Sequence, residues 1–418
     1  VKALFVPFAP SLAHVSRCLA VADAWRLRGH TAKFAIGEER REMVRDAGFE
    51  TQPLPEVPGN VFRSDQGWHW LTASYFDQNI KAERSVLAGE RPDVVVFDFR
   101  FTTAISARLT NLPSVSILHG NAIRLARQPR QTAKLLIGDS REARGVTALK
   151  IAMMQRLFPV GFSVMMRRVA HRLSSFLKAY GLRPVDSPFQ LLVGDAILVA
   201  DIPDFVPADL PSNHHIVGPL MWAGWEQPAP WLTESEAQSL IYVTMGSSVE
   251  AQAALVTIID GLCETPYSVI ISTGNLSLPS GLQLPSHIRV FSIVPGAAVV
   301  RRSRMVFHHG GHETLMQALA AGVPSLMLPM NPDQILVAQQ AQALGMGHSL
   351  RRPGDLPFGA STLRKLTPTQ VRREVDRLIA DQECQMVCAT LKRKIEAGNG
   401  ASLAAQVLER IVSSKERS

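Results

Sequence analysis

The segment MVFHHGGHETLMQALAAGVP, residues 305 to 324, has the makings of a phosphate cradle. An apolar run ends at His308 and His309, Gly310 and Gly311 follow, and a helix-forming stretch runs on to Gly322 and Pro324. Glycines let the backbone approach a ligand closely, and the first amides of a helix are unpaired at the positive end of its dipole. His309 and Thr314 can add side-chain donors. The same residues also suit an ordinary strand-to-helix turn. Glu313 sits awkwardly there: a carboxylate ~6 Å from a diphosphate charge costs on the order of 3 kcal/mol at an effective dielectric of 20. Either its side chain turns outward, or it pairs with His312 or an arginine, or the site has lost donor binding. A second set of groups lies near the N-terminus. His14 follows the apolar run Leu4 to Phe8, and Asp98 ends the run DVVVFD. Imidazole titrates near neutrality and can take a proton from a hydroxyl. A carboxylate on its other nitrogen would fix its tautomer. Taken alone, His14 also suits an exposed first helical turn, and Asp98 a strand-end cap.

These groups depend on the elements that carry them. Leu4 to Phe8 reads as a buried strand, and a helix fits from about Leu12 to Arg28, with Gly29 as its stop. TAKFAIG is a strand, EERREMVRDAG a helix ending at Gly48, DVVVFD (93–98) a strand, TTAISARLTN a helix, and SVSILH (114–119) and AILVAD (196–201) strands. Residues 121 to 180, rich in Arg and Met, read as mostly helical. Prolines 203, 207, 211, 219, 228 and 230 then interrupt regular structure. The alternation restarts with strands SLIYVTMGS, YSVIIST, IRVFSIV, RMVFHH and SLMLPM, separated by helices such as AQAALVTIIDGL and DQILVAQQAQALG. This rhythm predicts an α/β chain with two doubly wound parallel sheets. The expected division is an N-terminal domain over 1–215, a linker over 216–238, a second domain over 239–395, and a final helix over 396–418 that packs back toward the first domain. Ligands of such sheets bind beyond strand carboxyl ends, at switch points. The loops following Phe8, Phe97, Met245, Val294, His309 and Met330 are therefore where chemistry is expected.

Composition narrows the chemistry. At 418 residues, two domains are the natural division. The formal charge of +8 suits an anionic ligand, but its arginines are scattered and form no basic face with interleaved aromatics. No nucleic-acid partner is expected. Four cysteines give neither a disulfide framework nor zinc spacing, so no metal is called for and a reducing cytoplasm is the expected compartment. No apolar run reaches the ~18 residues of a membrane span. The opening VKALFVPFAP reads as a strand and not as a signal peptide.

HHGGHETLMQALAAGVPSLMLPMNPDQ resembles the nucleotide-sugar signature of GT-B glycosyltransferases of the plant UDP-glycosyltransferase and bacterial antibiotic (macrolide-type) kind. YVTMGSS (242–248), FSIVPGAAVV (291–300) and FAPSLAHVSRCLAVADAWRLRGH (8–30) resemble further family segments in the family's order, over nearly the whole chain. The resemblance implies two Rossmann-like domains facing across a cleft. It also implies an inverting, metal-independent transfer with no cofactor, drawing on a nucleotide diphosphate sugar, UDP-sugar ahead of dTDP-sugar. Carried over, His14 is the general base and Asp98 its partner. Gly246, Ser247, Val294, His309, Gly310, Gly311, Thr314 and Gln317 hold the nucleotide and its phosphates. Asp333 and Gln334 hydrogen-bond the sugar, although Asn331-Pro332-Asp333 is also a good helix start.

Three positions depart from the family pattern. Glu313 is usually small or an amide, Gln317 stands where Glu is common, and Ile293 replaces a stacking tryptophan. Trp68, Trp70 and Phe76, with Met153, Met154, Met165 and Met166, are candidates to line a site for an apolar acceptor such as an aglycone, a macrolide or a lipid-like molecule. They suit core packing equally well. Arg167, Arg168 and Arg172 leave room for peripheral membrane contact. Such an enzyme would serve secondary-metabolite glycosylation. Two rival readings are a nucleotide-sugar epimerase and a degenerate relative that binds nucleotide sugar without turnover.

Overall fold

A computed structural model describes residues 1–59, 61, 68–137, 145–222, 224, 232, 239–246, 249–274, 276–279, 281–351 and 366–415. The chain divides into two compact units. The first comprises Val1–Pro129, Pro159–Trp222 and Asn399–Ser418, the second Arg130–Phe158 and Ala223–Gly398.

The first unit is built on seven parallel strands: β1 (Lys2–Pro7), β2 (Thr31–Ile36), β3 (Glu50–Pro53), β4 (Val94–Asp98), β5 (Ser114–Leu118), β6 (Ala196–Val199) and β7 (His214–Ile216). Their order is β3-β2-β1-β4-β5-β6-β7. Strands β4, β5 and β6 are buried at every residue, which is why, apart from Asp98, Ser114 and Ser116, they read as apolar runs. Alternate residues of β1 feed opposite faces: Phe5 joins Trp25 and Phe34 in one core, while Leu4 and Val6 join Leu87 and Phe97 in another. The final helix, Gly400–Lys415, belongs to the first of these cores. Its Ala404, Ala405, Leu408 and Val412 pack with residues of the helix Leu12–Leu27, and Glu409 accepts from Arg28 and His30.

The second unit holds β8 (Leu240–Thr244), β9 (Ser268–Ser272), β10 (Ile288–Phe291), β11 (Met305–His308), β12 (Ser325–Met327) and β13 (Gly347–Ser349), in the order β10-β9-β8-β11-β12-β13, all parallel. In each sheet the chain winds outward from its first strand, then returns to that strand's other side with its fourth. The switch points therefore lie between β1 and β4 and between β8 and β11.

Strands β3, β7 and β13 were not anticipated. All three are short, polar edge strands, one ending in Pro53, and an edge needs no continuous apolar run. Residues 121–180 are helical over Gly120–Arg127, Pro129–Ile137 and Gly145–Ala179, the last of 35 residues with Pro159 inside it. Residues 216–222, which the sequence reading gives to the linker, stay with the first unit. Val217 and Leu220 enter its core, and Trp222 Nε1 donates to Asp23 at 2.9 Å. Most of 223–238 lies outside the described residues. Among the described residues, no helix is long and apolar enough to cross a membrane.

Candidate functional site

At the switch point of the first sheet, Pro7 at the end of β1 pairs in register with Asp98 at the end of β4. The chain turns after β1 and enters the helix Leu12–Leu27, which carries His14 in its first turn. His14 Nδ1 lies 2.7 Å from Asp98 Oδ1. The imidazole is not an exposed first-turn group. Its side chain is 13% exposed, stacked on the Phe99 ring at 4.9 Å and 3°, with Phe8 edge-on at 6.2 Å. Phe99 reaches that position through a left-handed backbone, φ 53°.

A third group completes this cluster and was missed in the sequence. Arg17, three residues along the helix from His14 and so on the same face, forks onto Asp98. Its Nε donates to Oδ2 at 2.7 Å and its Nη2 to Oδ1 at 3.0 Å, while Nη2 also lies 2.7 Å from His14 Nδ1. A lone arginine in the apolar run VSRCLAVA was the available signal. Burial pushes the Asp98 carboxyl up. The charge of Arg17, then that of His14, and the hydrogen bonds from both more than reverse this and hold it below the usual carboxylate range.

Behind the cluster lies a buried polar network that ties the two loops together. Arg100, fully buried, donates to Glu83 at 2.9 Å, Glu56 at 2.5 Å and Asn79 at 2.6 Å. Glu56 in turn accepts from the backbone N–H of Ala9 at 3.3 Å. The turn after β1 is thus fixed against the segment after β4.

Of the aromatic candidates, Phe76 is completely buried, packed edge-on against Phe176, and offers no surface to a ligand. Its helix position faces the core shared with Phe8, Phe101 and Leu173, which corrects the expectation of acceptor contact. Trp70 is 9% exposed and stacks on Phe8 at 5.7 Å. Trp68 is only partly buried, edge-on to Phe101 and Phe189. Met166 is a core residue, whereas Met153 is exposed.

At the switch point of the second sheet, Thr244 pairs with His308. Gly246 follows β8 with φ 71°, and Gly310 follows β11 with φ 80°. The imidazole of His309 occupies the space that two glycines leave open. A Cβ at Gly311 would lie 2.6 Å from its Nε2, and one at Gly246 3.2 Å from its Cε1. Burial lowers the His309 pKa, partly offset by a backbone hydrogen bond at Thr244 and by Asp333, which favours the uncharged ring. His308 is buried and structural. Its Nδ1 accepts from Gly310 N at 3.1 Å, and burial, with His309 beside it, brings its pKa down to about 3.

Gly311 caps the helix His312–Ala321, along which Glu313, Thr314 and Gln317 are each partly exposed. Ser247 lies outside the described residues. Val294 is buried, while Ile293 beside it is 76% exposed. The helix Pro332–Ala343 is capped by Asn331, whose Oδ1 accepts from Gln334 N at 3.0 Å. Gln334 Oε1 accepts from Met330 N at 2.9 Å, which leaves its amide N–H groups for another partner. Asp333 is exposed and not needed as the cap. A Cβ on Gly310 would stand 3.0 Å from Gln334 O, so the glycine turn and the Asp333-Gln334 pair form one cluster. Among the described residues, no group of three His, Cys, Asp or Glu side chains could hold a metal ion.

Comparison with known proteins bears on this architecture. Residues 256–400 match the erythromycin biosynthesis protein CIII-like C-terminal domain. The chain is 30% identical over 386 residues to a PGL/p-HBAD biosynthesis glycosyltransferase of Mycobacterium tuberculosis, covering 90% of this chain and 87% of that protein. Among solved structures, the kitacinnamycin glycotransferase superposes with a TM-score of 0.73 at 20% identity, covering 98% of both chains. The spinosyn rhamnosyltransferase SpnG complexed with thymidine diphosphate gives 0.68 at 19% identity, over 98% of this chain and 100% of that one. With two doubly wound parallel sheets and a relative of this identity along nearly its whole length, the chain belongs to the macrolide-type family of GT-B glycosyltransferases.

Proposed function

We propose that the protein is an inverting glycosyltransferase that moves a sugar from a uridine or thymidine diphosphate sugar to a hydroxyl of an apolar small molecule. The observation that carries this reading is the contact of His14 Nδ1 with a buried, ionised Asp98 at a strand-end switch point. With Nδ1 on the Asp98 carboxylate, Nε2 takes the acceptor's proton. The acceptor O–H breaks as N–H forms, and the oxygen attacks the anomeric carbon from the face opposite the diphosphate. The sugar–phosphate bond breaks in the same step, so configuration inverts. Charge appearing on the diphosphate is met by His309, by Thr314 and by the amides at the start of the helix His312–Ala321. Asp333 and the amide N–H groups of Gln334 hold sugar hydroxyls. The exposed Ile293 covers one side of the base, and backbone groups near Val294 read its edge.

A pyrimidine donor is supported by the SpnG structure, which holds thymidine diphosphate. An apolar acceptor is supported by the partly buried indole of Trp68, which packs at the edge of the aromatic core around Phe8. The free thiols of Cys18, Cys263, Cys384 and Cys388 support a reducing, cytoplasmic setting. The test pairs donor calorimetry with transfer assays on His14→Ala. Transfer should fall by at least 10²-fold, the usual contribution of a general base, while the affinity for UDP or dTDP stays within about twofold, since nucleotide binds the other unit. A fully active variant would remove His14 from the mechanism.

A further inference from the structure

The pairing of an imidazole with a buried carboxylate carries a difficulty. An isolated, buried Asp−–His pair gains most by holding a proton on the imidazole, because an imidazolium neutralises the carboxylate. An imidazolium cannot act as a base. In this protein the carboxylate has another counter-ion. The Arg17 fork on Asp98 is geometrically complete, with Nε on Oδ2 at 2.7 Å and Nη2 on Oδ1 at 3.0 Å, and the arginine side chain is 5% exposed. An arginine keeps its charge at every accessible pH. The Arg17–Asp98 pair is therefore neutral by itself.

We propose that Arg17 is a positioning residue of the transfer reaction, supplying the counter-charge that lets His14 rest as a neutral imidazole beside an ionised Asp98. Two features sharpen this. Arg17 Nη2 stands 2.7 Å from His14 Nδ1, so a second cation there is opposed at short range. In addition, His14 Nδ1 has a donor and an acceptor at the same distance, Arg17 Nη2 and Asp98 Oδ1. A proton on Nδ1 can be given only to Asp98, and in that tautomer Nε2 carries none. When Nε2 takes a proton during transfer, the imidazolium meets the Asp98 carboxylate directly, while the charge of Arg17 opposes it.

The groups that face the imidazole include Asp98 from β4, Arg17 on its own helix, and the rings of Phe8 and Phe99. Cys18 lies beside Asp98 and Arg17, but burial pushes its thiol well up, so it stays neutral. The Glu56–Arg100 ion pair stands behind the Ala9 turn.

This inference rests on the reading of His14 as the base, and its test needs no substrate. The full-length protein is labelled with 13C-histidine, the His14 ring resonance is assigned by its loss in His14→Ala, and it is titrated in the wild type, Arg17→Gln and Arg17→Lys. In the wild type His14 should lose its proton at or below the ordinary histidine value of about 6.5, despite the carboxylate at 2.7 Å. Arg17→Gln should raise that midpoint by about one to three pH units, the range for a charge at this distance. Arg17→Lys, which keeps the charge, should return it toward the wild type. A loss of packing alone would not move the midpoint in this pattern. A wild-type His14 still protonated above pH 8 would overturn the proposal without any variant. An unmoved midpoint in folded Arg17→Gln would do the same. If instead the titrations behave as expected and His14→Ala still transfers sugar at the wild-type rate, it is the base assignment that fails.

Discussion

Gly311→Ala isolates the steric logic of the diphosphate cradle. Gly311 has φ −63° and ψ 134°, a backbone that alanine adopts freely, so the substitution introduces no strain of its own. The added Cβ would lie 2.6 Å from His309 Nε2 and 3.1 Å from its Cε1. Contacts under 3.0 Å are not tolerated, so the imidazole must rotate or swing away. If His309 donates to the diphosphate, a hydrogen bond to a charged group is lost, worth about 1.5–3 kcal/mol. That corresponds to about 10- to 150-fold weaker binding of UDP or dTDP. Stability should fall by only about 1 kcal/mol, because glycine is the better N-cap. Isothermal calorimetry with UDP and dTDP, beside a denaturant melt, separates the two effects. Gly89→Ala is the control, since a Cβ there meets nothing within 4 Å. The double variant Gly311→Ala/His309→Ala should bind no more weakly than His309→Ala alone, because both act on one contact. Wild-type affinity in Gly311→Ala, or full additivity in the double variant, would refute the placement of His309 at the diphosphate.

Two further outcomes follow from the first unit. Phe76→Ala should cost about 3–5 kcal/mol of stability, as for other fully buried aromatics. Trp68→Ala should cost less than half of that and act mainly on the acceptor KM; chemical denaturation and acceptor kinetics distinguish these, and equal destabilisation would contradict the assignment of Phe76 to the core. The Asp98 carboxyl is held below its unfolded value of about 3.9. Its ion pairs therefore stabilise the fold fully above that value, and their contribution fades as pH falls through the lower folded value. Melting temperatures between pH 5 and 2 should drop more steeply in the wild type than in Asp98→Asn, and parallel curves would show that Asp98 does not contribute in this way.

The sequence by itself determined the repeating strand–helix pattern and the two-sheet architecture, because buried parallel strands such as VVVFD must be apolar on both faces. It also determined the glycine turn after β11, since close backbone approach and positive φ both require glycine at Gly310. Edge strands β3, β7 and β13 escaped it: half of an edge strand's hydrogen-bonding potential faces outward, and no periodicity is imposed on it. The aromatic cluster was visible in GWHWLTASYF, but its division was not. Phe76 and Trp68 are equally apolar as letters, and only packing buries one and leaves the other partly open. The capping role of Asn331, which leaves Asp333 exposed, likewise depends on which side-chain oxygen reaches Gln334 N.

Arg17 is the clearest case. His14 and Arg17 are three residues apart, a spacing legible in sequence, whereas Asp98 stands more than eighty residues away. What made Arg17 part of the site was the register of β1 against β4, which brings Asp98 beside Pro7 and so under the first helical turn. Strand order is set by the packing of whole elements and not by local propensity. That is why the residue types were readable from the chain, while the partnership among them was decided only when the two strands met.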